Sequence, residues 1–307
     1  MSATMGGMNA RLLAIATSQG GVFSTHDARG VDVEDTELRA LVRAGDIVRV
    51  RRGAYVLGTA WATAEHEECL RLRTMAVART RREDVATHQA ALALRHLPLH
   101  GVRLDVVDLQ GKVGRVRLSA GLRTAPGRLP DTDVDGVRCV SLEHAIVQVL
   151  LRSGLEAALL PLDAALRTKK CTLERVEAAV ALLVPHTRKA LGQRLLELAD
   201  ARSDSPGETR TRLLLHDLGH QWRSQVIICD DNDDFVAKVD FLVEGRVVVE
   251  FDGLNKYAGA QGHGALAAEK RREDRLRALG YAIVRLTWAD LAKPDRAAAM
   301  LRRALAA

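Results

Sequence analysis

The chain has 307 residues, of which 47% are hydrophobic and 27% charged, with a formal net charge of +6. That length accommodates two or three domains with cores of their own, and the composition excludes a disordered chain. No apolar run is long enough to cross a bilayer and the first ten residues lack the pattern of a secretory signal, so a cytoplasmic protein is expected.

Residues 1–58 form the first zone. Leu12, Leu13, Ile15 and Ala16 give Asn9 to Thr17 a helical pattern, and Gly20-Gly21 ends it. Ser24 or Thr25 can cap a short second helix. A third is expected from Glu34 to Ala44, with Leu38, Leu41 and Val42 on one face and Gly45 as a left-handed stop. Ile47-Val48-Arg49-Val50, a turn at Arg51-Arg52-Gly53 and Ala54-Tyr55-Val56-Leu57 then read as a hairpin. Three small helices and a hairpin with a basic tip is the layout of a winged helix-turn-helix. A helix fits the major groove of DNA, and Arg49, Arg51 and Arg52 can meet phosphates or the minor groove. The alternative is a helix-hairpin module for protein contacts, with those arginines as a solvated edge.

Residues 59–201 read as a mostly helical middle domain with a small sheet between about Val102 and Val140. Helices are expected over Ala62 to Arg79, Thr87 to His96, Ser141 to Arg152, Leu155 to Arg167, Thr172 to Leu183 and Thr187 to Ala201. The basic cluster Arg71, Arg73, Arg79, Arg81, Arg82 reads as a solvated helix face, with extension of a nucleic-acid surface as the alternative. His88, His96 and His100 lack the spacing of a metal site and read as core or surface histidines. Cys69, Cys139, Cys171 and Cys229 are scattered, as thiols rather than a disulfide framework.

Residues 202–307, opened by the polar stretch Arg202 to Glu208, carry the chemistry. Helix Pro206 to Leu218, strands Ser224 to Asp230, Phe235 to Val243 and Arg246 to Asp252, helix Ala265 to Leu279, strand Tyr281 to Leu286 and a short helix from Trp288 are expected. This is the order of a PD-(D/E)xK nuclease core, a mixed sheet flanked by helices, so the whole chain reads as an α/β multidomain protein. Asp240, Glu250 and Asp252 stand among residues that otherwise read as buried strand, and buried carboxylates need a cation or hydrogen-bond partners. If Glu244-Gly245-Arg246 is a three-residue loop, Val243 opposes Val247, Asp240 opposes Glu250 and Asp252 shares their face; a two-residue loop reverses the parity. A bridging Mg2+, or Mn2+, is the expected cofactor, able to polarise a phosphate and activate water. Lys256 is a candidate catalytic lysine, displaced from the usual position, with Lys238 or Lys270 as substitutes. Glu208 fits either a fourth metal ligand or a capping box with Ser205 and Pro206. Arg210 and Arg212 are expected at phosphates, and Arg272 is expected within reach of the site.

Two resemblances follow. Gly20-Gly21-Val22-Phe23-Ser24-Thr25 through Val48-Arg49-Val50-Arg51-Arg52-Gly53-Ala54-Tyr55-Val56-Leu57 resembles the N-terminal winged-helix domain of AbiEi-family antitoxins. This implies a transcriptional autorepressor with operator DNA and a nucleotidyltransferase toxin as partners. Ser205-Pro206-Gly207-Glu208-Thr209-Arg210, Val239-Asp240-Phe241, Val249-Glu250-Phe251-Asp252-Gly253, Glu269 with Arg272, and Gly280 to Leu286 are together similar to a bacterial endonuclease-domain family related to very-short-patch-repair nucleases. The chain departs from that family where a histidine is frequent and Asn255-Lys256-Tyr257 stands instead. The favoured expectation is a Mg2+-dependent DNA endonuclease delivered by a winged helix. The retained acids Asp240, Glu250 and Asp252 favour the enzyme; the alternative is a non-catalytic antitoxin-type repressor, because a nuclease-like domain can lose catalysis and keep DNA binding.

Overall fold

The computed structural model describes residues 7–253 and 262–306. The first helix, α1 (Ala10–Ser18), starts on Asn9, whose side chain accepts from the Arg11 and Leu12 amides at 2.9 and 3.4 Å. Gly20 and Gly21 follow at φ 71° and 88°, a left-handed pair that turns the chain back into β1 (Val22–Ser24). Ser24 and Asp27 form a reciprocal capping box on α2 (Thr25–Arg29). Next, α3 (Asp35–Ala44) buries Leu38 and Leu41 and stops at Gly45. The hairpin is β2 (Ile47–Arg51) and β3 (Ala54–Leu57). Sequence spacing does not reveal β1, which adds to it in the order β1-β3-β2 and stacks Phe23 on Tyr55 at 5.3 Å. Leu12, Phe23, Leu38, Leu41, Ile47 and Tyr55 share one core.

After α4 (Gly58–Ala62), the longer α5 (His66–Thr80) packs against β1 and β3. Then come β4 (Val85–Ala86), α6 (His88–Ala93), β5 (Val107–Gly111), β6 (Arg117–Ser119), β7 (Leu122–Pro126), β8 (Asp131–Val134) and β9 (Val137–Val140). Their six strands run in the order β6-β7-β5-β4-β9-β8 with mixed directions. Helices α7 (Leu142–Ser153), α8 (Leu155–Arg167), α9 (Leu173–Leu183) and α10 (Lys189–Glu197) complete the middle zone.

The chain divides into two compact units, residues 1–161 with 171–197 and residues 162–170 with 198–307. The division falls inside α8 at Pro161, a residue that cannot donate the helical hydrogen bond. The second unit holds α11 (Pro206–Asp217), β10 (Trp222–Cys229), β11 (Phe235–Val243), β12 (Val247–Phe251), α12 (Gly262–Ala278), β13 (Ala282–Leu286), α13 (Trp288–Leu291) and α14 (Pro294–Ala306). Its sheet runs β10-β11-β12-β13, antiparallel except for the last pair. Phe241, Val243, Val247 and Val249 meet Leu215 of α11, Leu291 of α13 and Leu301 of α14 on one face. Leu242 and Val248 meet Leu276 of α12 on the other. No helix among the described residues is long and apolar enough to cross a membrane.

In the first unit, His88 occupies a left-handed backbone position, φ 51°, with Nδ1 3.0 Å from Thr87 Oγ1 and Nε2 against the Arg152 guanidinium. Arg152 and Arg123 also converge on the buried Asp108. Burial, reinforced by the charges of Arg152 and Arg123, pushes the His88 pKa down to about 2. The folded imidazole therefore stays neutral while the unfolded one takes a proton below about pH 6.5. Stability tied to His88 is complete above that pH and falls by about 1.4 kcal/mol per unit of acidification below it. Urea melts at about pH 7 and about pH 5 are expected to show the parent losing roughly 2 kcal/mol more than His88→Gln. Equal losses would show that His88 is already protonated in the folded state.

Candidate nucleic-acid interface and the carboxylate cluster

On α3, Thr36, Arg39 and Arg43 follow one another at helical spacing on the exposed side, opposite Leu38 and Leu41. A cleft of about 810 Å3 opens beside them, lined by Arg29, Arg39, Arg49, Arg52, Arg79 and Arg82, with Asp35 as the carboxylate among its lining residues. A second cleft, of about 830 Å3, runs between α3 and β2 past Arg43 and shares Arg39 and Arg49 with the first. Arg29 is neutralised by Asp35 at 3.3 Å. Arg39, Arg43, Arg49, Arg52 and Arg82 have no side-chain partner among the described residues. The Arg79 Nε is buried with no hydrogen-bond partner. Guanidiniums without internal acids keep the cleft positive and suited to a polyanion.

Arg49 and Arg52, expected on the basic tip, thus stand in the cleft. Arg51 does not: it donates to Ala120 O at 2.9 Å and Ser119 Oγ at 3.0 Å on the β6–β7 turn. The α5 cluster splits. Arg71 pairs with Glu68, Arg81 with Asp84, and Arg73 bonds Leu104 O, whereas Arg79 and Arg82 reach the cleft. Arg39 and Arg43 went unnoticed in the sequence, although their spacing from Leu38 and Leu41 marks the face opposite the core.

In the second unit Val243 pairs with Val247 across Glu244-Gly245-Arg246, the register of a three-residue loop. Glu244 and Gly245 sit at φ 49° and 70°, which closes the turn. One step beyond Phe241 and Val249, Asp240 and Glu250 come to facing positions on the side of Leu242 and Val248. Asp240 Oδ2 accepts from the Phe251 amide at 2.9 Å, and the Asp252 amide donates to Leu286 O at 2.8 Å. Both Glu250 oxygens are taken by Arg272 of α12, at 2.7 and 2.9 Å. Arg272 also reaches Glu269 at 2.6 Å, and Arg285 of β13 lies 3.5 Å from Glu250 and 2.6 Å from Glu269. Hydrogen bonds to Glu250 and Glu269 raise the Arg272 pKa well above its ordinary value.

This donor set does not fit a divalent ion. Glu250 is occupied by a guanidinium, and among the described residues no group of three or more His, Cys, Asp or Glu is arranged to hold a metal. Glu208 is held elsewhere. Its oxygens accept from the Asp204 amide at 2.9 Å, Ser205 Oγ at 3.0 Å and Gln225 Nε2 at 2.9 Å, while its own amide donates to Ser205 Oγ at 3.2 Å. That is the capping arrangement, with the glutamate reaching one residue further back than a standard box. Lys256 lies outside the described residues, and Lys238 is 3.8 Å from Asp204.

The arginines expected at phosphates in this unit are also engaged. Arg210 lies over the Trp288 ring at 5.7 Å and donates to Leu291 O at 3.4 Å. Arg212 is buried at 1% exposure, bonded to Asp163 at 2.5 Å and to Leu198 O. Asp163 also accepts from Thr209 Oγ1 and the Asp200 amide, both at 2.8 Å. A guanidinium in a dry core cannot meet a phosphate, so Arg212 is a structural counter-ion. Arg272, committed to Glu250, likewise faces acids rather than nucleic acid.

The N-terminal helices and their small sheet thus carry the arginine cleft. Residues 10–58 match the family described as transcriptional regulator, AbiEi antitoxin. The chain is also similar over 212 residues to two uncharacterized proteins from two strains of Mycobacterium tuberculosis, 27% identical to each, covering 68% of this chain and 73% of each of theirs.

Removing one member of the Arg212–Asp163 pair strands a buried charge. Asp163→Ala is expected to destabilise the protein by about 3–5 kcal/mol, and Asp163→Ala with Arg212→Met to regain most of that loss, read by chemical denaturation. A neutral single variant would show that water reaches Arg212.

Proposed function

We propose that this protein is a DNA-binding transcriptional regulator of the AbiEi-antitoxin type. Its α1–α3 and β2–β3 elements act as a winged helix-turn-helix, with α3 in the major groove. The observation that carries this role is the cleft in which Arg49 and Arg52 of the matched segment join Arg39, Arg79 and Arg82 around few acids. In this role Arg39 and Arg43 of α3 reach base edges, and Arg52 and Arg82 hold phosphates. A nucleotidyltransferase toxin is the protein partner this role implies, and the cytoplasm its compartment.

A second role, DNA hydrolysis with Mg2+ or Mn2+ at Asp240, Glu250 and Asp252, is favoured by the shared face of Asp240 and Glu250. The fork between Glu250 and Arg272 weighs against it, and we rank it below regulation.

Gel shifts on the DNA upstream of the protein's own coding sequence test the first role. Arg52→Ala and Arg82→Ala are each expected to flatten the dependence of log affinity on log salt by about 0.9 on every sequence. Arg39→Ala is expected to cost roughly 5- to 150-fold on the specific site and far less on random DNA. Binding insensitive to salt would overturn the interface. Incubation with plasmid and either metal ranks the second role: nicking by the parent but not by Glu250→Gln would place hydrolysis first.

A further inference from the structure

The β6–β7 ribbon stands out on the first unit. All three residues of β6 are exposed at the end of the six-stranded sheet, and Leu118 is 75% exposed, with Val116 before it at 45%. An exposed edge strand carrying large apolar side chains is a liability unless something covers it. Arg115 and Arg117 alternate with Val116 and Leu118 and have no side-chain partner among the described residues. Gly121, at φ 69°, closes the turn into β7, where Arg123 faces Leu118.

Two features indicate what covers the ribbon. Its unpaired charge is positive, and it is tethered to the hairpin whose Arg49 and Arg52 line the arginine cleft. The tether is Arg51, at the tip of the β2–β3 hairpin, which bonds Ser119 Oγ and Ala120 O. The two turns are thereby latched tip to tip, although 68 residues separate Arg51 from Ser119. Proteins that enter the minor groove combine arginines, which seek its negative potential, with an apolar wedge that partly unstacks a base step and kinks the duplex.

We propose that the β6–β7 ribbon is a second DNA-contacting element. It enters the minor groove beside the tract read by α3, with Arg115 and Arg117 on the backbone and Leu118 as a wedge that bends the duplex. Arg51 serves as a positioning residue that aims the ribbon, rather than as a phosphate contact. This element rests on the DNA-binding role proposed above.

The test uses the full chain and duplex DNA from its own upstream region, with salt-dependent gel shifts and a fluorescence end-to-end measurement of bending. The exposed side chains make the variants safe to fold. The parent is expected to bend the duplex. Leu118→Ala is expected to lose most of the bend and several-fold in affinity while keeping the salt dependence. Arg115→Ala with Arg117→Ala is expected to flatten the salt dependence by about 1.8, two phosphate contacts at about 0.9 each. Arg51→Ala is expected to speed dissociation without changing that slope. Salt-dependent binding by the parent that none of the ribbon substitutions alters would overturn the ribbon's role alone. No binding by the parent under any salt would overturn the regulator role and this one with it.

Discussion

Carboxylates gathered on one side of a half-buried sheet repel each other until a cation enters, and in this protein the Arg272 guanidinium supplies that cation. Its fork closes on both oxygens of Glu250 and reaches Glu269, with Arg285 alongside. Helix α12 is pinned to β12 and β13 by these charges as well as by Leu276. The same contacts that hold the second unit together take up the acid a metal would need. The acids of this sheet thus serve cohesion.

The arginines named above divide by whether folding gives them such an acid. In the second unit Arg272, Arg275, Arg285 and Arg212 each face an acid of the same unit. In the first, Arg39, Arg43, Arg49, Arg52 and Arg82 line clefts without such partners. Net charge alone does not separate the two groups, because both are basic in composition. What separates them is whether folding has already neutralised the guanidinium, and only the un-neutralised set projects a field that an approaching polyanion would feel.

Much of this was legible in the amino-acid order. Periodicity and glycine stops located α1, α3 and the β2–β3 hairpin, whereas the β11–β12 register stayed open between two loop lengths until the Val243–Val247 pairing settled it. Strands β1 and β4 were not legible, since two or three residues carry no period and their partners lie far along the chain. The expected elements ended at a short helix from Trp288 and did not include α14, which opens on Pro294, a residue at home in the first turn of a helix. The partner of Arg212 lies 49 residues upstream, beyond any local pattern. Glu208 was ambiguous because a cap and a ligand ask for the same residue, and only the positions of the Asp204 amide and Ser205 hydroxyl separate them.

The Asp163 contacts have a further consequence. Residues 162–170 belong to the same unit as residues 198–307, and Asp163 ties Thr209 and Arg212 of α11 to the end of α8. The unit is therefore threaded twice by the chain, and no single scission releases it free of residues 171–197. A protease that nicked the polar stretch near Asp204 would produce two pieces that stay clasped through Asp163, separating only in denaturant. Expressed alone from that point onward, the C-terminal piece would carry a naked guanidinium at the heart of its core.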